Sequence, residues 1–156
     1  MNNGIKLLSS EYAGALAEID QLATHWPWSA QQYRDSFAAG DLVWGISQKQ
    51  ARQKYIQAFA VFQQVLDEAT LLNLVVHPSW QRQGLAYRLL QKTLATLYKA
   101  HGIKRCFLEV RESNLGAIRL YEKTGFSIDG QRKNYYPAHD GRETALLMSC
   151  HLPCAT

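Results

Sequence analysis

The run Gln81-Arg82-Gln83-Gly84-Leu85-Ala86 joins an apolar stretch, Leu71 to Val76, to a segment in which Leu85, Leu89, Leu90, Leu94, Leu97 and Tyr98 recur at helical spacing. The first turn of such a helix presents unpaired backbone N–H groups and the positive end of the macrodipole. Gly84 and Ala86 leave that backbone uncovered, and Arg82 and Arg88 add charge on either side. The chemistry this suits is the holding of an anion, a polyphosphate in preference to a carboxylate. A tight strand-to-helix turn without any ligand explains the same residues equally. Neither the G-x-G-x-x-G fingerprint of dinucleotide binders nor the Walker G-x-x-x-x-G-K-[ST] run is present. The five histidines lie in separate segments, and Cys106, Cys150 and Cys154 form no metal-finger or C-x-x-C spacing. No metal site and three free thiols are expected.

The elements that must position this turn follow from periodicity and punctuation. Leu71 to Val76, interrupted only by Asn73, is short and β-rich, so it predicts a central strand ended by Pro78. Before it, Ile5 to Leu8 predicts a strand, and Glu11 to Leu22 a helix capped by Ser9 or Ser10. Trp26-Pro27-Trp28 breaks that helix, and Ser29 caps a second one running to about Ala38, stopped by Gly40. The two tryptophans serve either as an apolar plug between helices or as one wall of a substrate groove. Leu42 to Ser47 and Tyr55 to Leu66 predict a hairpin across a basic loop spanning Lys49 to Lys54, and Asp67-Glu68-Ala69 a turn. After the helix, which stops at His101-Gly102, Lys104 to Arg111 predicts a strand with Cys106, Leu108 and Val110 on one face and Phe107, Glu109 and Arg111 on the other. Ser113 or Asn114 caps a helix to about Lys123. Phe126 begins another strand, Asn134-Tyr135-Tyr136-Pro137 lies in a long loop, and Glu143 to Ser149 is the last strand.

The expected class is α/β (α+β): a mixed, mostly antiparallel central sheet flanked by helices, with one parallel crossover around the opening helix. At 156 residues, 47% hydrophobic and 19% charged, residues 1–156 are expected to form a single domain. No run of about 18 apolar residues occurs, and MNNGIKLLSSEY lacks a secretory or transit pattern, so a soluble cytoplasmic protein with no membrane contact is expected. The formal charge of +4 suits an anionic ligand or a ribonucleoprotein setting, yet such an excess is common without either, and no direct contact with nucleic acid is expected. Oligomeric state is left open.

The segment Gln81 to Ala86 resembles the pyrophosphate-binding Q/R-x-x-G-x-G/A signature of the GCN5-related N-acetyltransferases (GNAT), and the element order is similar to that family's. Leu108-Glu109-Val110-Arg111, Ser113-Asn114, Ala117-Ile118, Leu120-Tyr121-Glu122 and Gly125-Phe126 resemble its later motif. Leu66 to Leu71, Asn134 to Pro137, Asp140 to Glu143 and Pro27-Trp28-Ser29 resemble the bacterial RimI type, whose members acetylate the N-terminal alanine of small-subunit ribosomal protein eighteen. Ala86 stands where glycine is commoner, and the Trp-rich entry and basic hairpin loop depart from that type.

The resemblance implies acetyl-CoA as co-substrate, an amine attacking its thioester directly, and the N-terminus of a ribosomal protein as partner. An α-amine of pKa about 8 costs roughly 1.4 kcal/mol to deprotonate at pH 7, against roughly 4.6 for a lysine. It implies Glu109 as general base, its strand face expected to bury it in part, and Tyr121 as general acid toward the departing thiolate. It implies cofactor binding by Leu74, Val75 and Val76 through the strand backbone, with the Val76 N–H at the oxyanion, by Arg82, Gln83, Gly84, Leu85, Ala86 and Tyr87 around the pyrophosphate, and by Asn114. Tyr135 and Tyr136 would close over the acceptor. Read as residues alone, Glu109 is equally a partner for Arg111 or Arg119, Tyr121 a core tyrosine, Asn114 a helix cap and Tyr135-Tyr136 a packing pair. Two other functions share these motifs: acetylation of a lysine, polyamine or small-molecule amine, and a non-catalytic acetyl-CoA-binding module.

Overall fold

The computed structural model describes residues 4–50 and 53–154. The chain runs β1 (Ile5–Leu7), α1 (Ala13–Ala23), α2 (Ala30–Ala38), β2 (Leu42–Gln50), β3 (Gln53–Val65), β4 (Glu68–Val76), α3 (Leu85–His101), β5 (Arg105–Arg111), α4 (Leu115–Thr124), β6 (Ser127–Ala138) and β7 (Gly141–His151). The strands form one sheet in the order β1-β2-β3-β4-β5-β7-β6. Among the described residues only β4 and β5 run parallel, as expected for strands joined through a crossover helix.

Each face of the sheet is covered because helix and strand periods bring apolar residues into register. Leu85, Leu89, Leu90, Leu94 and Leu97 of α3 meet Ala58, Ala60, Phe62, Leu71, Cys106, Leu108 and Met148 in one core cluster. Burying each leucine contributes about 1.5–3 kcal/mol. On the opposite face Leu16, Ile19 and Tyr33 from α1 and α2 meet Val43, Phe59, Val61 and Val75. Cys106, Leu108 and Val110 are buried, as the alternation in β5 predicts.

Several boundaries differ from expectation. Ser9 precedes a 3₁₀ turn, Ser10–Tyr12, and its side chain makes no cap bond, so neither serine caps α1; Tyr12 holds that position. Ser29 does cap α2, in a reciprocal capping box with Gln32. β4 begins at Glu68, because Leu66 takes a left-handed conformation (φ 56°) and the chain reverses there. β2 and β3 extend to Gln50 and from Gln53, into the expected basic loop; residues 51–52 of that loop lie outside the described residues.

The largest difference is at Asn134-Tyr135-Tyr136-Pro137, which belongs to β6 and not to a loop. The ladder with β7 slips between Arg132 and Tyr136, and Asn134 has φ 54°. The bulge persists because Arg142 donates to the carbonyls of Asn134 and Tyr135, both at 2.9 Å, answering groups the ladder leaves unpaired. Among the described residues, no helix is long and apolar enough to cross a membrane.

Candidate active site

The pairing of β4 with β5 ends at Leu71↔Leu108, although both strands continue. A bulge in β4 at the same point, where the register with β3 skips Leu72, turns the strand away. The opening between the two arms is a cleft of about 640 Å³. Leu72 to Val76, Glu109 to Arg111, Tyr121, Tyr136, Arg82 and Ala86 are among the residues lining it.

Register decides which backbone groups face that opening. His77 N donates to Gln57 O at 2.8 Å, so Val76, paired with Ala58, sits at a non-hydrogen-bonded position. Its N–H therefore points away from β3 and toward the opening, and so does that of Leu74, two residues before. Val75, between them, faces β3 and exchanges its bonds with Phe59, so its N–H and C=O are not offered to a ligand. Leu74 N–H already donates to Asn73 Oδ1 at 3.0 Å, and the Val76 carbonyl accepts from Gln81 Nε2 at 3.1 Å.

At the other end of the cleft, Gly84 is the N-cap of α3 in the left-handed region (φ 77°) and supplies no side-chain cap. The first helical bond is Arg88 N to Gly84 O, 3.1 Å, which leaves the N–H groups of Leu85, Ala86 and Tyr87 without helical partners. Arg82 also has a positive φ, 63°, and with Ala86 it lines the cleft. Leu85 is in the core, so it offers only its backbone. The Tyr87 ring turns aside under Lys123, whose Nζ is 4.3 Å from the ring centroid. Gln83 is exposed and does not line the cleft. Three backbone donors without partners among the described residues, an open glycine and a guanidinium fit a pyrophosphate.

Asn114 performs two tasks. Its Oδ1 accepts from Ala117 N at 3.2 Å, capping α4, and the residue also lines the cleft.

Tyr121 of α4 is 8% exposed, and its hydroxyl makes no hydrogen bond among the described residues. Burial, then the proximity of Tyr136, pushes its phenol above the ordinary value of 10. It is held protonated, the state a proton donor requires. Burial, then Glu109, pushes Tyr136 up to about 12.

Glu109 lines the cleft from β5. Its side chain is 33% exposed and accepts from Arg132 Nη1 at 3.0 Å. The guanidinium partner is neither Arg111 nor Arg119 but Arg132 of β6, whose side chain reaches across β7 to β5. Arg111 instead pairs with Glu143 at 2.9 Å and donates to Pro137 O at 2.7 Å. Its guanidinium carbon lies 4.7 Å from the Trp26 ring centroid and 4.5 Å from that of Tyr136.

This stack joins the α1–α2 connection to β6 across the mouth of the cleft. Trp26, 41% exposed, is thus a wall of the cleft. Trp28 is a plug, its ring 5.1 Å from that of Tyr33. Tyr136 faces the cleft while Tyr135 lies outside it, beneath Arg132 at 4.0 Å.

The match to known proteins agrees with this geometry. The model of the acetyltransferase (GNAT) family matches residues 13–126, most of the chain. The chain belongs to the GNAT family. Among GNAT relatives, it is 41% identical over 147 residues to the [ribosomal protein bS18]-alanine N-acetyltransferase of Escherichia coli, covering 94% of this chain and 96% of that one. It is 44% identical over 138 residues to the protein of the same name in Haemophilus ducreyi, covering 88% and 92%. The crystal structure of the Escherichia coli ribosomal-protein-S18-alanine N-acetyltransferase superposes with a TM-score of 0.88 at 39% identity, covering 99% of this chain and 97% of that one. Arabidopsis thaliana NAA60, at 15% identity, shares the GNAT fold with a TM-score of 0.83, covering 97% of this chain and 99% of that one.

The sequence by itself did not single out Asp20 or Arg132, and it offered Arg111 only within the later motif and as a partner for Glu109. Asn73, the one polar residue in the apolar run Leu71 to Val76, was the visible signal for a polar contact at the bulge.

Proposed function

We propose that the protein is a cytoplasmic acetyl-CoA-dependent N-acetyltransferase that acetylates the N-terminal alanine of ribosomal protein bS18. The observation that carries this reading is the 41% identity, over almost the full length of both chains, to a relative with that named activity. A cleft that holds a carboxylate, a protonated buried phenol and an outward strand N–H together is consistent with it.

Acetyl-CoA supplies an acetyl group activated as a thioester. The chain's own residues would do the rest. The N–H groups of Leu85, Ala86 and Tyr87, with Arg82, would hold the pyrophosphate, and the outward edge of β4 would align the pantetheine arm. Val76 N–H would receive the negative charge that develops on the carbonyl oxygen. Glu109 would take the amine's proton, directly or through a water, and Tyr121 would return one to the departing sulfur. Tyr136 and Trp26, tied through Arg111, would confine the acceptor at the cleft mouth.

The test is a competition between two peptides presented with acetyl-CoA: one bearing a free N-terminal alanine, the other N-acetylated and containing lysine. Acetylation of the first alone is expected. Equal acetylation of both would show the acceptor to be a different amine.

A further inference from the structure

Asp20 stands outside the machinery described so far. It lies on α1, is 1% exposed and lines the cleft alongside Thr24, Trp26 and Asn73. Oδ2 alone accepts three hydrogen bonds: from Trp28 N at 3.0 Å, Tyr33 Oη at 2.6 Å and Asn73 Nδ2 at 3.1 Å. Among the described residues Oδ1 accepts none, and neither ion pair involves Asp20. Nor is Oδ1 one of the fully enclosed, unpartnered side-chain oxygens. A nearly buried carboxylate is thus fixed by neutral donors on one oxygen, while the other opens on the cleft without a cation.

Burying a carboxylate with no counter-charge is costly, so a site of this construction favours a cation as its occupant. The other carboxylates at the cleft mouth have one already, Glu109 in Arg132 and Glu143 in Arg111. The pyrophosphate end of the cleft receives an anion, which a carboxylate repels. The pantetheine amides are neutral and need no carboxylate. What remains is the acceptor.

We infer that Asp20 Oδ1 receives the acceptor's terminal ammonium and orients it toward the thioester, a specificity-determining contact that rests on the amine acceptor proposed above. An α-amine of pKa about 7.7–8.0 arrives mostly protonated at pH 7. The cation docks against Oδ1. When Glu109 removes one proton, a remaining N–H still donates to Oδ1, which turns the nitrogen lone pair away from α1 and into the cleft. Asp20 is itself immobilised through Asn73, whose Oδ1 holds Leu74 N–H, so the acceptor nitrogen and the β4 edge share one rigid frame.

The experiment measures calorimetric binding of two peptides to the protein saturated with CoA: an alanine-starting acceptor and the same peptide with its N-terminal amine replaced by hydrogen. Wild type is expected to bind the amine about 10- to 100-fold more tightly, as for a hydrogen bond to a charged group. Asp20→Asn keeps the size and the Oδ2-type acceptor. It should reduce that preference to about two-fold, with binding of the amine-free peptide and of CoA unchanged. A purely structural aspartate would weaken both peptides together, and a preference that survives in Asp20→Asn overturns the inference. Should Asp20→Asn not fold, a crystal structure of wild type with CoA and the peptide decides the matter: the amine nitrogen within about 3.2 Å of Oδ1 supports it, and an amine bound elsewhere overturns it. A wild type that does not acetylate the peptide removes the acceptor reading and this inference together. A wild type that acetylates it without any amine preference removes only the role of Asp20.

Discussion

Arg132 donates a 3.0 Å hydrogen bond to Glu109, from a strand 23 residues further along the chain. The pair is half open to solvent on the arginine side, with side chains 49% and 33% exposed. Such exposed pairs are weak and screened by solvent, so an arriving acceptor can displace Arg132 at little cost. Arg132→Gln is therefore expected to change kcat/KM by less than about five-fold. Glu109→Gln should lower it by about 10²- to 10⁴-fold while leaving CoA binding intact. Steady-state rates beside calorimetric CoA affinities check both, and unchanged turnover in Glu109→Gln would remove it from the role of base.

Tyr121→Phe removes a hydroxyl that makes no hydrogen bond among the described residues, while keeping the ring that packs edge-on against Phe126 at 5.9 Å. The melting temperature should stay within a few degrees of wild type. The rate should fall by about 10²-fold, the lower end of general acid catalysis, because a thiolate leaves fairly well unaided. A large loss of stability with a normal rate would make Tyr121 a core residue only.

How much of this was readable in the chain depends on the range of the interaction. The helical period of Leu85 to Leu97, the Ser29 cap and the strict alternation in β5 are local, and each predicted its element. The β6 bulge was hidden because Asn134 and Pro137 are turn-forming residues, and what keeps them in a strand is Arg142 on the neighbouring strand. Ion partners were misassigned for the same reason: Arg111 and Arg119 lie near Glu109 in sequence, whereas Arg132 reaches it from β6 across the intervening β7. Asp20 reads in sequence as an ordinary acid on an amphipathic helix. Only the packing of α2 and the β4 bulge around it reveals three donors converging on one oxygen.

Gly84→Ala places a Cβ where nothing lies within 4 Å, yet at a φ of +77° that L-residues adopt with strain. The expected cost is about 1 kcal/mol of stability, read as a fall of a few degrees in melting temperature, together with weaker binding of acetyl-CoA. Calorimetric titration with acetyl-CoA checks the second part. Retained affinity would remove the Gly84 turn from the anion site.

Hydrogen bonds from Arg111, then Ser113, hold the Glu143 carboxyl below its ordinary value of 4.5. A depressed folded-state value contributes stability that is complete above 4.5 and is lost as pH falls through the folded-state value. Thermal melts below pH 4.5 should therefore show wild type losing stability more steeply than Glu143→Gln. Parallel curves for the two proteins would contradict this.

The central claim is tested most directly by mass spectrometry of intact bS18 from cells with and without this gene. The account predicts that bS18 carries one acetyl group on its N-terminal alanine when the gene is present and loses it when the gene is deleted, with restoration by wild type but not by Glu109→Gln. An N-terminal alanine acetylated to the same extent in both strains would contradict it.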